Sequence, residues 1–372
     1  VTNSSSNIPS QRLASIDALR GFDMLMIAGA GSFFVLLGGK TGLSAIDAIA
    51  ANFKHPAWNG FTFYDFIFPL FLFISGVSLA FSLSSAQTKG VKSGVLYRKA
   101  LTRMFILIGL GILYKNAPVT FFEPSQIRFV SVLGRIGFAG FITTLIYLNC
   151  SPRGRIGWIA GILLVYYAAL YLVPVPGYGA GDLSINGNLV GWFDRMFLPG
   201  RLLQGTYDEL GLLTQFPALC LCLLGAFGGD ILRGKKNSHQ KLKELAIWGI
   251  GGIALALLWS LHFPINKHLW TSSFILLTGG MAFLFLGFFY LVVDVWGYRK
   301  WAFFFQVIGL NSLTIYLAYR FIDFSYTSHR IFGGIYRHAP EHWHEVWQTL
   351  GALALVWLLL YFLYRNRLFL KV

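Results

Sequence analysis

The chain is 372 residues long, 56% hydrophobic and 17% aromatic, with only 12% charged residues where a soluble domain carries roughly 25%. No stretch is polar enough to clothe a soluble domain, so a string of two or three such domains is excluded and one all-α, polytopic membrane bundle is expected. A net charge of +15 would suggest nucleic acid on a soluble protein, but in a membrane protein it must first be assigned to loops.

Residues 1–12 are polar and read as a flexible N-terminal segment. They lack the apolar core and small-residue cleavage site of a signal peptide, so the first span is expected to act as the targeting signal. Apolar runs long enough to cross about 30 Å of hydrocarbon fall near 20–38, 63–84, 100–118, 129–149, 156–174, 210–229, 245–263, 269–293, 302–322 and 347–364. The third is the weakest, with a clean apolar core only from Met104 to Tyr114. With the N-terminus in the cytoplasm, the inner segments, including Arg12, Lys89, Lys92, Arg98, Lys99, Arg103 and Lys371, sum to +14 and the outer ones to about +1. That asymmetry obeys the positive-inside rule and makes ten spans with both termini cytoplasmic self-consistent. Nucleic acid is then not needed to explain the basicity. The same arrangement gathers seven of the eight histidines on the outer side, all but His239. Cys150, Cys220 and Cys222 lie in or beside apolar runs without metal-ligand spacing and read as buried thiols.

Five constellations interrupt the apolar pattern. At 15–26, Asp17, Arg20 and Asp23 sit at the inner edge, Arg20 three residues from each acid; they form either an intrahelical ion-pair network or a cation facing an anionic substrate. At 53–76, His55, Trp58, Asn59 and Asp65 stand at the outer mouth of a helix. An aromatic belt accounts for the rings, but not for an acid in an apolar segment. His55 with Asp65 is either a base with its orienting carboxylate or a headgroup histidine beside a helix cap. At 127–138, Arg128 and Arg135 are seven residues apart and so expected on one helix face, Arg128 snorkelling outward and Arg135 lining a cavity or pairing with an acid. An outer loop at 263–274 carries Asn266, Lys267, His268 and Trp270, and the helix at 309–321 carries Asn311, Ser312, Tyr316, Tyr319 and Arg320. No Walker loop, dinucleotide fingerprint, GxSxG elbow or helical metal-histidine pair stands out, and no metal is expected.

Taken in order, SIDALRGFDML, KHPAWNGFTFYDFIFPLFLFISG, IRFVSVLGRIG, FPINKHLWTSS and GLNSLTIYL resemble the successive blocks of the heparan-alpha-glucosaminide N-acetyltransferase family. The chain looks like a bacterial-type member without the additional N-terminal segment and first span of the animal lysosomal enzyme, with residues 13–372 as the transmembrane acyltransferase domain. The resemblance implies transfer of the acetyl group of cytosolic acetyl-CoA to the amine of a terminal, α-linked glucosamine on the extracytoplasmic side. It places the catalytic histidine at His55 and its acid at Asp65, and it sets Arg20, Arg128, Asn266, Lys267, Asn311 and Ser312 on motif positions. Trp58, Asn59, Arg135 and Trp270 complete the expected acetyl-CoA or substrate contacts. A homodimer in a bacterial inner membrane is also expected. The chain departs from the family pattern where AGAGSFF offers no asparagine, at Ser131 and Gly134 in the stretch before Arg135, and at Tyr319 in place of a histidine. These departures bear on the acceptor more than on the donor.

The resulting expectation is that acetyl-CoA enters from the basic inner face, with Arg20, Arg98, Lys99 or Arg103 near its phosphates, and that its thioester reaches towards His55. His55 then serves as acyl carrier or as base, with Asp65 orienting it in both cases. The rival reading is a transporter of amino sugars or oligosaccharides, since ten spans with intramembrane charges also suit a substrate pathway.

Overall fold

The computed structural model describes residues 13–118 and 123–370; the expected N-terminal segment 1–12 and Lys371 lie outside the described residues. Among those described there is no β-strand, only isolated bridges at Arg128–Gly200 and Val175–Gly179. Helix is what such a composition dictates, because backbone groups in hydrocarbon must be satisfied within the segment itself.

The helices in order are α1 (Ala14–Leu25), α2 (Gly31–Leu37), α3 (Ser44–Asn52), α4 (Phe63–Thr88), α5 (Ser93–Asn116), α6 (Val132–Asn149), α7 (Pro152–Leu172) and α8 (Leu189–Phe197). They continue with α9 (Gln215–Arg233), α10 (Ser238–Ser260), α11 (Ser272–Phe289), α12 (Arg299–Leu310), α13 (Ser312–Phe321), α14 (Phe324–Tyr336) and α15 (His344–Arg365). A π turn at Met26–Ala30, with Gly29 at φ +118°, joins α1 to α2 into one 24-residue span. A second π turn carries α11 on to Val295.

Eight of these helices are long and apolar enough to cross a membrane, and α12 with α13, bent by 60° at Asn311, make a ninth. Nine of the ten expected spans are met in this way, counting the bent pair as one. The difference is the third span: α5 has 24 residues but carries Arg98, Lys99, Arg103 and Lys115, which take it below the apolar requirement. Several starts also shift, that of α10 to Ser238. Residues 208–214 form a buried turn ahead of α9, and 127–131 are non-helical, with the Ser131 hydroxyl accepting from Gly134 N as the N-cap of α6.

Helices α4, α9 and α11 bury most of their length, whereas α7, α10 and α15 bury about a fifth and face lipid. The central pair is α4 and α9. A Cβ on Gly76 would overlap the carbonyl of Cys222, and one on Gly225 that of Phe73, so the two backbones touch at glycine as packed membrane helices do. At one end of the bundle Tyr147 and Arg155 bond Asp230, Arg233 bonds Asp230 and Ser84, and Asn149 bonds Tyr97. These contacts tie α4, α5, α6, α7 and α9 together where the basic residues collect. The opposite end of α4 carries Asp65.

Candidate active site

Asp65 is the third residue of α4, and its carboxylate has two tasks. Oδ2 accepts from the backbone N–H and the hydroxyl of Thr62, at 3.0 and 3.2 Å, closing a capping box at the helix start. Oδ1 lies 2.6 Å from His55 Nδ1. The acid is only 1% exposed, so its charge is tolerable only with such partners. A carboxylate on Nδ1 holds the proton there and leaves the Nε2 lone pair free. The His55 side chain is 42% exposed, and its ring stacks on Tyr64 at 4.9 Å.

The loop between α10 and α11 supplies the remaining groups. Gly60, at φ +122°, donates its N–H to Ile265 O at 2.9 Å, and Asn266 Nδ2 donates to Asn59 Oδ1 at 2.9 Å. That loop is internally fixed: Asn266 Oδ1 accepts from Leu269 N, Thr271 Oγ1 donates to Pro264 O, and the Tyr166 hydroxyl donates to Leu269 O. Lys267 Nζ is thereby held 3.3 Å from His55 Nε2, 3.6 Å from Asp65 Oδ1 and 3.8 Å from Glu209 Oε2. Trp58 stacks on His268 at 5.2 Å, with Tyr207 edge-on to both and Trp58 Nε1 donating to Leu183 O. Burial keeps the His268 imidazole below the ordinary histidine value. Burial, with Glu209 and Asp208 adding to it, pushes the Tyr207 phenol up to about 12.

The structure brings His55, Trp58, Asn59, Asp65, Asn266 and Lys267 together and separates the rest. Arg128 is not at the surface: it is 2% exposed and forms a two-point pair with Asp208, Nε to Oδ2 at 2.7 Å and Nη2 to Oδ1 at 2.6 Å. It also lies ahead of α6, so it shares no helix face with Arg135. Arg135 has no acid in its grip among the described residues. Its Nη2 donates to Thr214, its guanidinium carbon stands 4.4 Å from the Trp270 ring centroid, and its Nε and Nη1 have no hydrogen-bond partner among the described residues. Trp270, itself buried, meets Phe68 edge-on at 5.5 Å, and these rings lie between the His55 end and the interior. Sequence reasoning missed Asp208, Glu209, Tyr207 and Thr214. The Tyr-Asp-Glu run after Gly205 was the available signal.

Below Phe68 opens a cavity of about 1030 Å³. Its mouth is basic, with Arg98, Lys99 and Arg103 of α5 and Arg20 of α1, the last paired with Asp17 and bonded to Ser78. Ser75, Ser78 and Ser82 of α4 line the cavity among apolar residues of the same helix, as do Phe68, Phe71, Ser312 and Tyr316. Ser312 therefore belongs to the cavity. Asn311 is buried at the break between α12 and α13 with its Nδ2 unpartnered among the described residues. Tyr319 donates to Ala28 O across the π turn. Asp23 is fully buried, and its carboxyl oxygens have no partner among the described residues.

Fold and site together define a polytopic, all-helical integral membrane protein with a histidine–carboxylate pair at one end of the bundle and a basic-mouthed cavity at the other. The sequence profile of the family described as heparan-alpha-glucosaminide N-acetyltransferase, catalytic, matches residues 12–264, and the chain belongs to that family. It is 27% identical to the human heparan-alpha-glucosaminide N-acetyltransferase over 418 residues, covering 97% of this chain and 60% of the relative. The mouse protein of the same name is likewise 27% identical over 420 residues, with the same coverage. The chain thus spans about 60% of the length of these relatives.

Proposed function

We propose that this chain is a transmembrane acetyltransferase that takes the acetyl group of acetyl-CoA at the basic cavity and delivers it to the amine of a glucosamine at the His55 end. The observation that carries the reading is the placement of both sites along one helix. Asp65 and the cavity-lining Leu83 both belong to α4, and at about 1.5 Å per residue they lie about 27 Å apart, close to the hydrocarbon thickness of a membrane. The positive-inside rule puts the end with Arg98, Lys99, Arg103, Arg155 and Arg233 in the cytoplasm, a bacterial inner membrane in this reading, and His55 on the far side.

The anionic nucleotide then stays among the cations of the mouth, where phosphate recognition by Arg and Lys is favourable, while the uncharged acyl arm extends along the serines of α4. Only a neutral acetyl group has to pass the Phe68–Trp270 layer. At the far end His55 Nε2 faces the reacting centre. It either takes the acetyl group as a covalent intermediate or removes a proton from the acceptor ammonium, and Asp65 fixes the productive tautomer in both routes. Asn59, Asn266 and the Trp58–His268–Tyr207 rings offer the polar and flat aromatic surface that a sugar ring needs. Membership of an acyltransferase family favours this reading over the transporter.

The test uses purified protein in nanodiscs, acetyl-CoA and a panel of amino sugars, reading free CoA thiol and acetylated product by mass spectrometry. Acceptor-dependent thiol release that disappears in His55→Ala is expected; undiminished product in that variant would overturn the assignment. An acetyl group trapped on His55 with acetyl-CoA alone selects the covalent route.

A further inference from the structure

Lys267 is loosely held at the site. Its backbone sits in a loop fixed by its own hydrogen bonds, but its ammonium has no short bond to any group among the described residues. The distances to Asp65 and Glu209, 3.6 and 3.8 Å, exceed the 2.7–2.9 Å of a charge-assisted hydrogen bond. Nζ is 3.4 Å from His55 Nδ1 and 3.3 Å from Nε2, and a point so nearly equidistant from both ring nitrogens is off the lone-pair axis of either. The ammonium thus lies nearest the imidazole, with the two carboxylates just beyond it. It is also displaceable at small cost, since only the flexible side chain has to move.

An amine substrate has the same requirements. It arrives as an ammonium, needs carboxylates to hold it, and must bring its nitrogen to about 3–3.5 Å from the reacting atoms. Asp65 and Glu209 provide the first, and the place beside Nε2 provides the second. Lys267, a primary amine with 14% of its side chain exposed, already stands there.

We propose that Lys267 is a tethered acceptor: its Nζ occupies the position that the substrate ammonium takes between Asp65, Glu209 and His55, and it is acetylated there when no acceptor is present. The inference rests on the acetyltransferase reading. In the transfer the thioester C–S bond breaks and a C–N bond to Nζ forms; where the acetyl group pauses on His55, the Nε2–acetyl bond breaks in the second step and the imidazole is regenerated. The ammonium loses two protons, the first through Glu209 and the second to water, and the CoA thiolate takes up one from the cytosolic side, so one proton is released overall. The product amide has no charge to hold between Asp65 and Glu209. Self-acetylation therefore disables the site, and a bound amino sugar, by displacing Lys267, protects it.

The full chain in nanodiscs is incubated with acetyl-CoA alone, and peptides are read by mass spectrometry. One acetyl group on Lys267 is expected, suppressed at least tenfold by saturating amino sugar and absent in His55→Ala and Lys267→Arg. A second measurement does not depend on the rate of labelling. Lys267→Ala vacates the ammonium position, so it should acetylate added methylamine or ethylamine at least tenfold faster than the wild type, whereas Lys267→Arg should not. An unlabelled Lys267 together with no gain of alkylamine acetylation in Lys267→Ala, while wild type still turns over amino sugar, overturns this inference and leaves the proposed function standing. Absence of all turnover overturns both.

Discussion

Replacing Asp65 by asparagine is the most searching perturbation of the site, because the carboxylate performs two tasks and an amide can perform only one. With its oxygen towards Thr62, the introduced amide keeps the helix cap but turns an N–H donor on His55 Nδ1, which selects the tautomer with the proton on Nε2 and removes the reacting lone pair. With its oxygen towards His55, it turns its NH2 on the Thr62 backbone N–H and opens the capping box. Loss of the charge-assisted bond to His55, now 2.6 Å, is worth about 1.5–3 kcal/mol, or about 10- to 150-fold in rate. The tautomer penalty adds to this, so kcat should fall by about 10²–10⁴-fold in Asp65→Asn. Stability should fall by only about 0.5–2 kcal/mol, the value of a cap. Steady-state CoA release in nanodiscs, beside a thermal unfolding curve, reads both. A variant with kcat within threefold of wild type and an unchanged fold would refute the orienting role of Asp65.

Three further outcomes follow from the packing. Gly140 lines the cavity and a Cβ there meets nothing within 4 Å, so Gly140→Trp should lower acetyl-CoA affinity at least tenfold in a binding titration while the unfolding temperature stays put; unchanged affinity would remove the cavity as donor site. Arg128→Gln takes the two-point partner from the buried Asp208 carboxylate and leaves it only the Leu203 and Leu210 N–H groups, which should cost about 3–5 kcal/mol in thermal unfolding; a loss under about 1 kcal/mol would count against the buried pair. Burial raises the Asp194 carboxyl from 3.8 to about 7, with the Leu212 N–H acting in the opposite sense. The folded state therefore holds this proton more tightly than the unfolded one, and the group's contribution is fully present below about pH 4 and lost as the pH climbs to 7. At 1.36 kcal/mol per unit the loss is on the order of 4 kcal/mol. Asp194→Asn should accordingly flatten the fall in unfolding temperature between pH 5 and pH 8, and an unaltered slope would count against the buried acid.

Much of the fold was legible because hydrocarbon leaves the backbone so few choices. Apolar run length located α4, α7, α11 and α15 to within a few residues. It could not show that α5 would run unbroken from Ser93 through Arg98, Lys99 and Arg103 to Asn116, nor that Asn311 would break a span in two. The helix-face argument for Arg128 and Arg135 failed for a local reason: Ser131 is an N-cap, so the helix begins after Arg128, and the side chain that should have snorkelled turns inward to Asp208. The His55–Asp65 pair was readable from an acid set in an apolar run. Its third and fourth members were less so. Lys267 was read only as a loop residue and a family motif position. Glu209 lies in a stretch without periodicity, and only the tertiary meeting of two loops shows what it faces.

One helix, α4, bears the capping carboxylate at its first turn and the cavity serines along its length. No loop or domain closure intervenes, and the helix runs through Pro69 without a break, so the interval between the two chemistries is a whole number of helical steps. In an enzyme that hands a group from one compartment to another, such a rod is a gauge. It fixes the arm length a donor must have, and a donor shortened by a few atoms would dock with every charge satisfied and still deliver nothing.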